Sequence, residues 1–176
     1  MAGHTLPSGD YRKRAMITVD LYTGAGTSVR LGPFDGEISI TGGVRASYKD
    51  PIDIYSLDTY AGAVLGPDFV PQISLTLRHK GKLTSTSAKT VRDCICYAGA
   101  FAGESYTDPC GEVPSHRAVI TISGPDGVDV CTAPNSRWVG DYSTGDVNTM
   151  PLQATCYRPE AGGDPADPAN QPLIWS

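Results

Sequence analysis

Ile17, Val19 and Leu21 alternate with Thr18 and Asp20, the two-residue period of a strand with one buried face. Gly24 and Gly26 close it, and residues 29–31 make a short second strand. After the turn-rich stretch 31–37, Ile38 and Ile40 resume the alternation. Ile73, Leu75 and Leu77 mark the clearest strand, over 72–78, and a basic turn at 79–82 follows. The period then changes. Val91, Cys94, Ile95, Ala98, Phe101 and Ala102 recur at i, i+3, i+4 spacing and predict an amphipathic helix over 87–102. Ser87 is its expected N-cap and Gly103 its stop. Lys89, Arg92 and Asp93 fall off the apolar stripe.

Residues 107–115 read as loop. Two alternating runs around a Pro-Asp-Gly turn, over 117–132, give the strongest hairpin signal in the chain. Residues 147–157 predict a last strand, and Pro151 inside it argues for an edge or a bulge. The pattern adds up to roughly seven or eight short strands and one helix. The expected fold is mainly β (α+β): a β-sandwich of antiparallel strands with one flanking helix, a long loop and extended arms.

The long loop is 41–71. Ile52, Ile54 and Leu57 suggest an edge strand, but most of this stretch reads as loop, and compact domains rarely carry a connection of that length unused. Its centre, YKDPIDIYSLDTYAG, interleaves Tyr48, Tyr55 and Tyr60 with Asp50, Asp53 and Asp58. The arms are a polar stretch over 1–14, ending in Arg12, Lys13 and Arg14, and a Pro/Gly/Asp-rich tail over 158–176, ending in apolar Leu173, Ile174 and Trp175. The expected organisation is one domain over 1–157 followed by that tail.

Composition narrows the function. A formal net charge of −5 is a poor basis for tight nucleic-acid binding, which rests on neutralising phosphates with Lys and Arg. No apolar run is long enough to cross a membrane. The first residues lack the apolar stretch of a signal peptide, so Cys94, Cys96, Cys110, Cys131 and Cys156 are expected as reduced thiols in protein made in the cytosol.

Candidate chemistry is sparse. His4, His79 and His116 sit in no nucleophile signature, and their simpler reading is solvated histidine. Cys94 and Cys96 are two apart on the predicted helix and face different directions, so they do not converge on a metal. Cys94, Cys131 and Cys156 read as small buried hydrophobes. The glycines of 24–32 make a turn, since no helix follows. The basic residues of 78–82, with Lys89 and Arg92, read as a solvated turn and helix face. The expectation is no catalysis, no metal and no cofactor. A carbohydrate-binding sandwich would need exposed aromatics; Trp138 with Tyr142 is the local cluster that fits, and Trp138 is expected to pack on the body.

The remaining features suit contacts between chains. Tyrosine buries a large ring and keeps a hydrogen-bonding tip, and aspartate beside it can meet Lys or Arg of a neighbour. Tyr48, Lys49, Asp50, Tyr55, Asp58, Tyr60 and Phe69 are therefore the expected docking residues. Arg12, Lys13, Arg14, Leu173, Ile174 and Trp175 are the expected arm contacts.

In its order of strands, long loop, strand over 72–78, helix over 87–102, hairpin over 117–132 and last strand over 147–157, the chain resembles the tail tube proteins of siphophages. The resemblance implies a virion subunit, assembled in the host bacterial cytoplasm, that forms hexameric rings with sheets joined around a lumen. The rings stack through the long loop and arms, beside tape-measure, terminator and distal tail proteins. It also implies an acidic channel through which DNA passes without specific binding. Tail terminators, head–tail connectors and capsid decoration proteins are the alternatives.

Overall fold

A computed structural model describes residues 16–31, 38–43, 45, 48–56, 58–78, 83–124, 127–144, 149–159 and 167–176. The expected arm residues Arg12, Lys13 and Arg14 lie outside these, as do His4 and His79. Among the described residues the chain forms ten strands and one α-helix. The fold is mainly β with antiparallel pairing, as the alternation predicts. No described helix is long and apolar enough to cross a membrane.

Eight strands form one continuous sheet. They are β1 (Met16–Tyr22), β2 (Ser28–Leu31), β3 (Ile38–Thr41), β6 (Gln72–Arg78), β7 (His116–Gly124), β8 (Gly127–Gly140), β9 (Thr149–Tyr157) and β10 (Ile174–Trp175). The path runs β2-β1-β7-β8-β9-β6-β3, with β10 beside β8. The other two, β4 (Lys49–Ser56) and β5 (Thr59–Asp68), pair only with each other.

Strand β8 joins the two halves. Its first part pairs β7, from Gly127 opposite Gly124 to Ser136 opposite His116. Its second part pairs β9, from Asn135 opposite Tyr157 to Gly140 opposite Leu152. The sequence suggests a break after residue 132, because Pro134 cannot donate to a ladder. The strand instead runs through Pro134, which falls at an irregularity in the β7 pairing between Ala133 and Ser136, just before β9 joins at Asn135.

Pro151 also departs from expectation, since β9 lies inside the sheet between β8 and β6. The Pro151 carbonyl accepts from the Asp141 N–H at 3.2 Å, on the β8 side, just beyond the last β8 pair. The missing N–H therefore falls where that ladder has already ended.

The core takes Val19 and Leu21 from β1, Ile120 from β7, Cys131 from β8, Leu152 from β9 and Ile73 from β6. Cys94, Cys131 and Cys156 are buried here as expected, and burial pushes each thiol up to about 12, so they stay protonated. Cys96 and Cys110 are exposed and free.

The helix is much shorter than its apolar period suggests. α1 spans Val91–Ile95, and a 3₁₀ turn at Gly99–Phe101 follows. Its N-cap is Thr90, not Ser87: the Thr90 hydroxyl oxygen accepts from the Asp93 N–H at 3.1 Å. Asp93 is fully buried, because its carboxylate accepts from the Ser85 N–H at 2.7 Å and so ties down the preceding loop. Left-handed backbone at Tyr97 and Gly99 then ends the helical path.

His116 is buried against this segment rather than solvated. Its Nε2 lies 2.9 Å from the Cys94 carbonyl oxygen, and its ring is 4.8 Å from that of Tyr97. Burial lowers its pKa, and the bond to Cys94 acts the other way without cancelling the effect. The unfolded chain thus accepts a proton that the folded chain refuses. Stability should fall as pH drops below about 6.5, the ordinary histidine value. Asp93 adds a second, more acidic window. Burial raises its pKa, but the bonds from Ser85, Thr84 and Thr90 and the charge of Arg92 outweigh that, and the net shift is downward. Its contribution is present above about 4 and lost as pH falls further. Urea midpoints followed from neutral pH downward should show both declines, and His116→Gln should flatten the upper one. An unchanged upper decline in that variant would contradict the assignment.

Candidate functional site

Lys49–Ser56 and Thr59–Asp68 are not loop. They form a two-stranded antiparallel ribbon, with Ile52 opposite Val64, Ile54 opposite Gly62 and Ser56 opposite Thr59. Every described residue from Pro51 to Ser56 is exposed, on both faces of β4. A hairpin outside any sheet is marginally stable in water, so its order depends on how it is rooted.

The root is built from several kinds of contact. Tyr48, just before β4, is buried at 6 % exposure in the core, and that burial raises its phenol pKa. Its carbonyl accepts from the Phe69 N–H at 2.8 Å, which closes the ribbon at its base. Phe69 packs against the core, and the Arg45 guanidinium lies 4.0 Å above its ring. Gly42, with φ of 76°, is required there: a Cβ would stand 2.2 Å from the Phe69 ring. Asp68, at the end of β5, meets Lys49 of β4 at 3.0 Å and Arg158, just after β9, at 3.1 Å. Arg45 also pairs with Asp50.

Asp68 therefore clamps both strands of the ribbon to the body. Its own side chain is half-exposed and the Arg158 side chain is nearly buried. Asp68→Ala should cost about 1 kcal/mol, since exposure screens the pairing. Hydrogen exchange of the β4 and β5 amides should speed up while that of β1 and β7 does not. Uniform exchange rates across the sheet and ribbon would contradict the clamp.

Two register shifts, between Lys49 and Pro51 and between Ile54 and Tyr55, twist the ribbon. At its tip Asp58 adopts φ of 62°, a conformation aspartate tolerates in tight turns. Tyr55 and Tyr60 stand edge to face beside it with centroids 6.0 Å apart.

The ribbon is apolar where water should favour polar residues. Ile52 and Ile54 share a face with Val64, at 53%, 44% and 49% exposure. Leu65, opposite Pro51 on the other face, is 67% exposed. Tyr55 and Tyr60 are also well exposed.

The expected docking residues thus divide. Tyr55, Asp58 and Tyr60 are at the exposed tip. Lys49, Asp50 and Phe69 are occupied at the root. Tyr48 is a core residue and not a docking one. Ile52, Ile54, Val64 and Leu65 were missed, although their β-branched and apolar character around a short turn signals a hairpin.

The arm residues Leu173, Ile174 and Trp175 dock on their own chain. Leu173 is buried, β10 pairs β8, and Trp175 Nε1 donates to the Gly43 carbonyl at 2.7 Å. Trp138 is buried with its indole N–H donating to Ser136 Oγ at 2.9 Å, as its expected packing requires. It therefore offers no platform for a sugar. Among the described residues no group of three or more His, Cys, Asp or Glu is placed to hold a metal.

No family model matches the sequence, and no curated protein matches it. Among solved structures, a chain in the cryo-EM structure of the anti-feeding prophage (AFP) baseplate, 6-fold symmetrised, is similar with a TM-score of 0.45 at 9% identity. The similarity covers 88% of this chain and 92% of that one. At that score the likeness is one of outline, and no functional conclusion rests on it.

Proposed function

We propose that this chain is a self-assembling structural subunit of a phage-type virion, a tail tube protein whose copies form stacked rings through the β4–β5 hairpin. The observation that carries this reading is the ribbon itself. It is anchored at its root by buried and charged contacts, and it holds Ile52, Ile54, Val64 and Leu65 in water on both faces. A contiguous exposed apolar patch marks an interaction surface. Burying the part of each side chain still in water would contribute on the order of 1 kcal/mol, and several such side chains from each copy can together offset part of the cost of association.

The mainly-β body and the exposed β4–β5 hairpin agree with the resemblance to siphophage tail tubes. In this role the chain performs no catalysis, carries no cofactor, and lines a channel whose acidity, in keeping with the net charge of −5, lets DNA slide. Sedimentation velocity at rising concentration tests the reading. Boundaries should shift cooperatively from the single chain to large, uniform particles. A single-chain boundary at every concentration would sink it.

A further inference from the structure

We propose that the strand-free segment 83–115 is an acid-released flap, latched to the sheet by His116 and opening as a unit while the sheet stays folded.

The segment contributes no strand, so no backbone ladder ties it to the sheet. It is held in part by Cys94 and Phe101, which are fully buried in the common core. Polar ties add to this. The Gly24 N–H donates to the Ser105 carbonyl at 2.8 Å. The hydroxyls of Thr27 and Thr23 donate to the Glu104 carboxylate at 2.9 and 3.2 Å. Arg137 pairs with Asp108 at 3.6 Å. His116, the first residue of β7, reaches the Cys94 carbonyl from below the helix at 2.9 Å. Elements held by so few backbone bonds are the ones that open locally.

The latch is sensitive to protons because of how it is bonded. The Cys94 carbonyl can only accept, so Nε2 carries the hydrogen and Nδ1 is bare. Nδ1 is buried and meets no hydrogen-bond partner among the described residues. A second proton would place an N–H there without an acceptor, and a charge against the Tyr97 ring without a counter-charge.

The groups around the site do not compensate. On the flap, the Cys94 thiol is protonated, the Tyr97 hydroxyl donates to the Ser115 carbonyl, and Tyr106 stands edge to face against Tyr97. The Asp93 carboxylate is taken by the Ser85 N–H, and that of Glu104 by the two threonines. On β7, Arg117 lies over the Tyr22 ring. On β8, the Ser136 hydroxyl donates to the carbonyl of His116 itself, and Trp138 donates to Ser136. Opening moves the imidazole into water, where it takes a proton near the ordinary value of about 6.5. The closed form, its pKa lowered by burial, refuses that proton. The open fraction should therefore grow by up to about tenfold for each pH unit below that value.

Three buried thiols report the opening. Cys94 rides on the flap, whereas Cys131 and Cys156 belong to β8 and β9. The full chain with Cys96→Ser and Cys110→Ser is labelled briefly with dithiodipyridine, and each thiol is read by peptide mass spectrometry. Dividing by the rate in the urea-unfolded chain at the same pH gives the protection of each. From about pH 7 to about pH 5, protection of Cys94 should fall at least about tenfold, while Cys131 and Cys156 keep theirs. His116→Gln should hold Cys94 level. Equal loss at all three thiols would overturn the flap, because the sheet would then open with it. A Cys94 decline that survives in His116→Gln, or no decline in the parent, would overturn the latch. His116→Phe, a ring that cannot take a proton, is the second variant should the first not fold. Should neither fold, the parent's contrast between Cys94 and the two sheet thiols still decides whether the segment opens alone.

Discussion

Ile52→Asp combined with Val64→Asp should abolish assembly and leave the subunit folded. The two side chains face each other across the ribbon on its Ile54 face and are half-exposed in the single chain. Neither supports the core, so the melting temperature should change little. In an interface the two charges would be buried without partners, which costs several kcal/mol. The concentration needed for assembly should rise at least about a hundredfold, a change of roughly 2.7 kcal/mol. Circular dichroism and sedimentation on the same sample separate the two effects. A variant that assembles as readily as the parent would remove the ribbon from the interface.

Tyr48→Ala should do the reverse and damage folding first. The ring is buried in the same core as Cys131 and Cys156. Truncating a buried aromatic costs about 3–5 kcal/mol, or roughly 10 °C in melting temperature at this size. Tyr55→Ala and Tyr60→Ala should cost well under about 1 kcal/mol, as exposed positions do. Thermal melts of the three variants are the check. Three similar melting temperatures would contradict the division of these tyrosines into one core residue and two tip residues.

That division was illegible in the sequence, where the three tyrosines look alike. Alternation reveals a strand when one face is buried and the other is wet. It found β1, β6 and the β7–β8 turn region for that reason. The β4–β5 ribbon has no buried face; Ile52 and Ile54 suggested an edge strand, but the rest of the stretch carries no such period and read as loop. The helix failed in another way. Positions 91, 94, 95, 98, 101 and 102 share an apolar face, but Thr90, the buried Asp93 and left-handed Tyr97 cut the helix to its middle. β10 is too short to carry a period. Its signal was three apolar residues ending a polar stretch, expected as contacts to other chains; in the single chain they lie on its own β8 edge.

Negative-stain electron microscopy of the purified chain at rising concentration tests the central claim most directly. The account predicts six-fold rings or hollow filaments in the parent protein. Small, featureless particles at every concentration would contradict it.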